Sequence, residues 1–370
     1  MGGYDNELSR YRYDVTLALG QVRQSLVEPE IRIAATPDWR QRLAAAGTAA
    51  PRENRPIPIK FSQVATPDSP KGRAIKKFRE LVEARAKGTI RVEVYPASQL
   101  YRDKEEMEAL QLGAVQMIAP SLSRVGLLRA SSFEIFDLPF LFPNEQAVHA
   151  LMQGPIGQHL FLELREEQLL GLAFWENGFR MISADRPIRK PHDLKGLKML
   201  IQTSKIEEAQ MKQLGAVAVT VTVADITRFL SQGKANGIEA PPINILTQSL
   251  VGGQKFGLVT NHGYQGYVVI MNANFWDSLP GSARTLLEES LKEATAYFNQ
   301  VAAKRNQAAL ASLQTDGKLE VYQPSPAEMT LWRVALRPLY RDVEKEVGPE
   351  FLGSVVTELK RLGFPTPHEP

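Results

Sequence analysis

Cysteine is absent from the 370 residues of this chain. The sequence therefore excludes disulfides, thiolate metal sites, cysteine nucleophiles and a lipid-modified cysteine anchor. Histidine is scarce, and the five histidines lie far apart in the sequence, which argues against a histidine-rich metal site. We expect neither a metal nor a cofactor.

Long apolar runs and a one-sided charge are also missing. No stretch approaches the roughly 20 apolar residues that a membrane-spanning helix needs. The formal net charge is only +3, and the basic residues are spread along the chain, so no basic surface for nucleic acid is indicated. The opening MGGYDNELSRYRYDVTLALGQVRQ carries charged side chains where a secretory signal needs an unbroken apolar stretch, so we expect no signal peptide in this chain.

Residues 1–57 differ in character from the rest of the chain. They mix charged residues with short apolar pieces and end in TAAPRENRPIP, whose proline, arginine and asparagine favour an extended linker. We interpret them as an N-terminal extension of unknown role.

An alternation of predicted strands and helices begins at Ile59. The segment IKFSQVAT predicts a strand, KGRAIKKFRELVEARA a helix, TIRVEVYP a strand, DKEEMEALQLG a helix and AVQMIAP a strand. In the first helix the apolar residues Ile75, Phe78, Leu81 and Val82 share one face, and Gly88 ends the helix. The many charges of KGRAIKKFRE are interpreted as a solvated face. This alternation is typical of a mostly parallel sheet with covering helices.

The same rhythm returns later in the chain. GLAFWEN, FRMISA and AVAVTVTV predict strands, SKIEEAQMKQLG a helix, and one long helix runs from Pro280 to about Gln314. Two copies of an α/β plan predict two lobes and a cleft, where ligands lie beyond the carboxyl ends of the strands.

Several segments, in order, are similar to one known family. SPKGRAIKKFRELVEARAKGTIRVEVYPASQL, FEIFDLPFLF, ENGFRMISADRPIRKPHDLKGLKM and TNHGYQGYVVIMN resemble the dicarboxylate-type solute-binding proteins of TRAP transporters (tripartite, ATP-independent, periplasmic). The resemblance covers roughly residues 58–350. It implies an α/β, two-lobed fold of the type II periplasmic-binding-protein kind, with a hinge, a central cleft and a long helix that spans both lobes.

The resemblance also implies the organisation and role of the chain. Lobe I comprises residues 58–177 with 266–305, and lobe II comprises 178–265 with 306–370. A family member captures a small-molecule ligand, often an organic acid, and delivers it to membrane permease subunits without catalysis. The periplasm is the compartment that the resemblance implies.

The family's ligand-binding residues are only partly present here. The arginine that follows GLK in the family is replaced by Leu200, the arginine of the G-x-R motif persists as Arg180, and the asparagine of the family's QENP is replaced by Ala240. Val223 and Thr227 stand where aromatic residues are common. A buried carboxylate short of partners costs several kcal/mol. We therefore expect a ligand less acidic and more apolar than a simple dicarboxylate.

The resemblance and the strand ends together predict the residues that contact the ligand: Arg180, Gln202, Leu200, Ala240, Trp175, Asn177, Ser121, Glu239, Asn261 and Tyr267. Other interpretations compete with several of these. Arg180 could be a structural partner of Glu176 or Glu239, the large aromatic residues could simply be core, and Asn177 could shape its turn. For Glu239 a structural role at the hinge is the preferred interpretation.

Two classes of function remain open from the sequence alone. The first is a binding module for transport. The second is the same fold recruited to a cytoplasmic role, as a ligand sensor or an enzyme of a specialised biosynthetic pathway, which the 57-residue extension and the altered pocket favour. The sequence holds no GxSxG, HExxH, Walker loop or dinucleotide fingerprint, which argues against catalysis.

Overall fold

The computed structural model describes residues 56–102, 105–128, 130–249, 253–317 and 319–366. The extension predicted for residues 1–57 lies almost wholly outside the described residues. The strands in the described part of the chain are β1 (Ile57–Ser62), β2 (Ile90–Tyr95), β3 (Met117–Ile118), β4 (Leu169–Phe179), β5 (Met181–Ala184), β6 (Lys198–Ile201), β7 (Val217–Thr220), β8 (Gly237–Ala240), β9 (Phe256–Leu258), β10 (Tyr264–Asn272) and β11 (Glu320–Tyr322).

Helices cover and connect these strands. Within the same residues they are α1 (Pro70–Ala86), α2 (Glu106–Gln111), α3 (Leu122–Val125), α4 (Glu145–Gln153), α5 (Pro155–Glu166), α6 (Lys205–Gln213), α7 (Ile226–Ser231), α8 (Pro242–Asn244), α9 (Ala273–Ser278), α10 (Gly281–Thr315), α11 (Pro326–Leu336), α12 (Leu339–Val347) and α13 (Pro349–Arg361). None of these helices is both long and apolar enough to cross a membrane.

The described strands form two separate mixed sheets. The first has the order β2-β1-β3-β10-β4, and the second has the order β11-β9-β5-β8-β6-β7. The predicted parallel pairing is present in β2-β1-β3 and in β8-β6-β7. Antiparallel pairs form where the chain returns between sheets, since β10 runs against β3 and β4, and β5 runs against β8 and β9. The two-lobed α/β architecture expected from the resemblance is thus confirmed.

Helix α1 shows how local sequence fixes an element. Ser69 caps its start by accepting from the backbone N–H of Gly72 at 3.0 Å, and Pro70 occupies the first helical position, where a missing N–H costs nothing. Ile75, Phe78 and Val82 are buried against the first sheet, as their spacing predicts, whereas Leu81 is only partly buried. The solvated-face prediction for this segment is wrong at one position, because Lys71 is buried.

The chain passes from one sheet to the other at neighbouring points. Only Arg180 separates β4 of the first sheet from β5 of the second, and residues 259–263 separate β9 from β10. The long helix α10, predicted from the sequence, also spans both sheets, since Phe298 lies in an apolar cluster with the first sheet and Leu313 in one with the second. The exact lobe boundaries stay a prediction.

Candidate functional site

Arg180 occupies the crossing between the sheets. Its backbone N–H donates to the carbonyl of Gly263 at 2.8 Å, so the two strand crossings are tied together. Its guanidinium is 1% exposed. Nη2 lies 2.7 Å from Oδ1 of Asp137 and 2.6 Å from Oε1 of Glu207, and it donates to Oγ of Ser123 at 3.3 Å. The crossing therefore contains a buried cation held by two carboxylates.

The two carboxylates come from different layers of the molecule. Asp137 ends a 3₁₀ turn, Ser131–Asp137, that packs with the first sheet. Glu207 lies in the first turn of α6, where Ser204 caps the helix by accepting from the Glu207 N–H at 3.2 Å. Oε2 of Glu207 also accepts from the backbone N–H of Gln202 at 2.8 Å. Arg180 thus joins an element of the first sheet to a helix that follows β6 of the second.

A second buried polar group lies next to this one. Oε2 of Glu239 accepts from Nε2 of Gln210 at 2.8 Å and lies 2.9 Å from Nε2 of His262. The other ring nitrogen of His262 lies 2.6 Å from Oγ1 of Thr260. Glu239 is thus paired with a histidine at the second crossing, and its structural role at a hinge stays a prediction.

Burial and neighbouring charges set the protonation of this network. Burial raises the pKa of Glu207 well above its usual value, with the nearby cation of Arg180 opposing the rise. Burial by itself lowers the pKa of Arg180, but Glu207 and Asp137 outweigh it, and the net shift is upward. Burial raises the pKa of Glu239, but His262 reverses the effect and leaves it lowered. Arg180 therefore keeps its charge, and the Glu207 carboxylate takes up a proton more readily than an exposed glutamate does.

Glu134 lies in the same 3₁₀ turn as Asp137 and is fully buried, at 0% exposure. Neither of its carboxyl oxygens has a hydrogen-bond partner within the described part of the chain. Burial raises its pKa from 4.5 to about 7; Lys205 opposes the rise, whereas Asp137 and Glu346 add to it. The carboxyl group of Glu134 therefore binds a proton more tightly in the folded chain than in the unfolded chain.

We expect the free energy of unfolding to fall as the pH rises from 4.5 to about 7, the window set by this shift. Glu134→Gln removes the titrating group and should be more stable than the parent by roughly 2 kcal/mol near pH 8, with the gap closing below about pH 5. Urea unfolding of the parent chain and of Glu134→Gln between about pH 5 and pH 8 measures this difference in the free energy of unfolding. Glu208→Gln, at an exposed position of α6, is the control, and equal pH slopes for the parent and Glu134→Gln would contradict the assignment.

An apolar wall lies on the second sheet. Leu200 on β6 and Ala240 on β8 are buried in one cluster with Met181, Ile238 and Ile245. Partly buried apolar residues that pack against this cluster include Val219, Val221, Ile226, Phe229, Leu246, Leu310 and Val321. The positions where the resemblance expects an arginine and an asparagine are therefore buried in an apolar cluster of the second sheet.

Two predicted aromatic contacts lie on one face of the first sheet. Trp175 is fully buried, stacks on Phe298 with ring centroids 5.0 Å apart, and donates from Nε1 to Oγ1 of Thr295 at 2.9 Å. Tyr267 is partly buried, and burial raises its pKa. Its backbone forms a bridge with Ser121, so these two predicted residues are neighbours.

The remaining predicted contacts are scattered around the crossing. Asn177 donates from Nδ2 to Oδ1 of Asn244 at 3.2 Å, and its carbonyl accepts from Asn306 of the long helix. The side-chain oxygen of Gln202 is buried and has no hydrogen-bond partner among the residues that the structure describes. Asn261 is exposed and adopts a left-handed backbone conformation at φ 49°, which suits a turn.

The structure brings Arg180 together with carboxylates that sequence reasoning missed. Glu176 is not its partner, because Glu176 contacts His149 and Asn299 instead. Asp137 had a signal in the segment FEIFDLPFLF, where two acids, Glu134 and Asp137, interrupt an apolar run. Glu207 follows the helix cap Ser204, so its helix was predictable, but its approach to Arg180 was not.

The fold and this site match one family of known proteins. A family model described as "Bacterial extracellular solute-binding protein, family 7" (DctP) matches residues 61–346. The chain belongs to this family. A family 7 relative, the C4-dicarboxylate-binding periplasmic protein DctP of Rhodobacter capsulatus, is 45% identical over 307 residues, which cover 83% of this chain and 92% of the relative. The C4-dicarboxylate-binding protein DctB of Bacillus subtilis is 36% identical over 82% of this chain and 87% of its own length.

Solved structures of TRAP-type binding proteins agree with this family 7 assignment. A periplasmic solute-binding protein of Shewanella oneidensis with bound succinate has a TM-score of 0.78 at 33% identity, covering 82% of this chain and 99% of that chain. The sugar acid binding protein of Advenella mimigardefordensis with galactonate has a TM-score of 0.79 at 26% identity, covering 84% and 99%. The chain is therefore a dicarboxylate-type TRAP solute-binding protein by family.

Proposed function

We propose that this chain captures a small organic acid with an apolar body between its two sheets and delivers it to the permease subunits of a TRAP transporter. Family membership supports solute capture. The relatives from Rhodobacter capsulatus and Bacillus subtilis are named for C4-dicarboxylates, and solved neighbours hold succinate or galactonate. An acidic group is common to all of these ligands.

One observation carries the finer part of the proposal, which is a ligand less acidic than a dicarboxylate. Leu200 and Ala240 are buried among apolar side chains on the second sheet. A second carboxylate placed against this wall would lose its hydration without gaining a donor, a cost of several kcal/mol. An apolar group placed there would instead gain about 25 cal/mol for each Å² removed from water.

Ligand capture in this proposal works through closure of the two halves. The crossings at Arg180 and at residues 259–263 are short, so they suit a hinge. A ligand that contacts both sheets stabilises the closed state by the contacts that the open state lacks. Delivery then requires a permease that recognises the closed form.

Calorimetric titration with succinate, L-malate and hexanoate tests the ligand class. We expect hexanoate to bind at least about tenfold more tightly than either dicarboxylate, because its alkyl chain matches the apolar wall. The double variant Leu200→Arg/Ala240→Asn should reverse this order, since the added donors favour a second carboxylate.

The variant Leu200→Met/Ala240→Ser is the matched control, because it alters both side chains without adding a cation. It should keep the preference of the parent chain. Tight binding of succinate or malate by the unaltered chain would overturn the finer part of the proposal and leave solute capture intact.

We propose the periplasm as the compartment, following the Rhodobacter capsulatus relative, which is named as a periplasmic protein. The cytoplasmic role raised by the sequence is the competing hypothesis. Genes for small and large permease subunits next to this gene, together with recovery of the chain in the periplasmic fraction, would support transport. Biosynthetic neighbours and cytoplasmic recovery would favour recruitment.

A further inference from the structure

Two glutamines of the first sheet are buried although part of each amide has no partner. Gln63 directly follows β1 and is 1% exposed, and neither its side-chain oxygen nor its nitrogen has a hydrogen-bond partner among the residues that the structure describes. Gln265 lies in β10 and is 4% exposed, and its side-chain oxygen also lacks a partner within those residues. A buried amide atom without a hydrogen bond costs stability, and each one in a native protein needs a physical reason.

The two glutamines lie on the same face of the first sheet. Alternation along β1 puts Gln63 on the face of Phe61, which is buried in the apolar cluster under α1 and α10. Alternation along β10 puts Gln265 on the face of Tyr267, which packs against the same cluster. The bulge next to Gln265 lies on β4, where Asn177 is the extra residue, so the alternation of β10 continues through it.

Both glutamines also lie at the end of the sheet where the chain crosses to the second sheet. Gln63 extends β1 at its carboxyl end, because its backbone N–H donates to the carbonyl of Tyr95 at 3.0 Å. Gln265 pairs with Gly178, two residues before Arg180 of the crossing. β3 runs parallel to β1 and antiparallel to β10, so the start of β10 lies at the carboxyl end of β1. Ligands of α/β sheets bind beyond this edge, so both amides lie where the captured solute is expected.

Tyr267 accounts for one side of the Gln265 amide. Burial raises the pKa of Tyr267, and a hydrogen bond with the side chain of Gln265 opposes the rise. A group that opposes this rise donates to the phenol oxygen, so the amide nitrogen of Gln265 faces Tyr267. The oxygen of the same amide is the atom left without a partner among the described residues.

The unpaired atoms define the chemical group that would satisfy them. They are two acceptors, the oxygens of Gln63 and Gln265, and one donor, the nitrogen of Gln63. A carboxylate only accepts and an ammonium only donates, so either group would leave part of this set unpaired. A hydroxyl group donates one hydrogen and accepts at two lone pairs on a single atom, so it matches both kinds of atom.

We propose that Gln63 and Gln265 form a subsite that binds a hydroxyl group of the captured solute, so that the ligand is a hydroxy acid. The subsite lies on the first sheet, whereas the apolar cluster around Leu200 and Ala240 lies on the second. This inference rests on the proposed function, because it assigns one further group of the same ligand.

Calorimetric titration of the full chain with two matched series of probes tests the subsite. The first compares hexanoate with its hydroxy derivatives, which carry the hydroxyl on each carbon in turn, and the second compares succinate with L-malate. In whichever series the unaltered chain binds, a hydroxy acid should bind at least about tenfold more tightly than its parent acid, because a site built for a hydroxyl rejects the analogue that lacks it. Gln63→Leu and Gln265→Leu should each reduce this ratio to below about twofold, while the affinity for the parent acid stays within about threefold.

Gln254→Leu is the matched control. Gln254 precedes β9 of the second sheet, is 4% exposed and has a side-chain oxygen without a partner in the described part of the chain. It lies at the end of β9 away from the crossing at residues 259–263, so this variant should keep the full preference for the hydroxy acid. Thermal unfolding without ligand gives a second readout. Gln63→Leu should not lower the unfolding midpoint, because a leucine of similar size removes an unsatisfied buried amide.

The outcomes separate this inference from the proposed function. If the chain binds hexanoate or succinate and no hydroxy derivative binds more tightly, the subsite is overturned and solute capture stands. The subsite is also overturned if the preference survives in Gln63→Leu, or if Gln254→Leu loses it equally. A chain that binds no acid of either series overturns the proposed ligand class together with the subsite. A preference that Gln63→Leu and Gln265→Leu abolish and Gln254→Leu keeps supports the subsite.

Discussion

Arg180→Met is expected to lower the free energy of unfolding by about 3–5 kcal/mol, because it leaves the carboxylates of Asp137 and Glu207 buried without their cation. The loss should be measured by urea unfolding near neutral pH. The loss should shrink as the pH falls, because burial raises the pKa of Glu207 and a protonated Glu207 no longer needs the missing cation.

Two comparisons make this result interpretable. Arg186→Met removes an exposed arginine that pairs with Asp185 at the surface, and we expect it to change stability by less than about 1 kcal/mol. Adding Asp137→Asn and Glu207→Gln to Arg180→Met should restore much of the loss, because the buried charges are then gone. If Arg180→Met is as stable as Arg186→Met, the buried ion pairs of Arg180 do not stabilise the fold.

Trp175→Ala should have the second large effect and lower the free energy of unfolding by about 3–5 kcal/mol. The indole is fully buried, stacks on Phe298 of the long helix, and donates to Thr295 on the same helix. Removing it opens a cavity where α10 packs on the first sheet and takes the hydrogen-bond donor from the partly buried hydroxyl of Thr295. Chemical unfolding followed by circular dichroism measures the loss without relying on this tryptophan as the probe.

Trp175→Phe separates packing from ligand contact. Phenylalanine fills most of the volume and keeps the stacking, so the stability loss should be well below that of alanine. Hexanoate or succinate affinity should stay within about twofold of the unaltered chain, since the indole faces the core under α10. A large drop in affinity with little change in stability would instead place Trp175 in the ligand site, as the sequence suggested.

Local patterns accounted for much of the secondary structure. The spacing of Ile75, Phe78 and Val82 predicted the buried face of α1, and the long helix from Pro280 to about Gln314 is found at Gly281–Thr315. These predictions held because helix periodicity and capping depend on residues close in sequence. Strand lengths were less predictable, since AVQMIAP yields only the two-residue strand β3, whose extent depends on its partners β1 and β10.

Contacts between residues far apart in the sequence could not be predicted from such local patterns. Lys71 sits among charged residues in KGRAIKKFRE, and nothing in that run marks it as the member that turns inward. Its burial follows from the positions of Ala119 and Tyr267, which are 48 and more residues away. The same holds for Arg180, which was predicted to contact the ligand, with Glu176 or Glu239 as its partner in the competing structural interpretation. The structure pairs it with Asp137 and Glu207.

The sequence by itself determined the alternation of strands and helices, the family resemblance and the replacement of polar pocket residues by Leu200 and Ala240. These depend on neighbours along the chain or on residue identity alone. Only the tertiary structure decided which charges meet, because two sheets crossing at Arg180 bring together side chains from distant segments. A buried charged side chain is stable only with a partner of opposite charge or a hydrogen-bond partner. Which partner it has depends on the side chains that the fold places within reach.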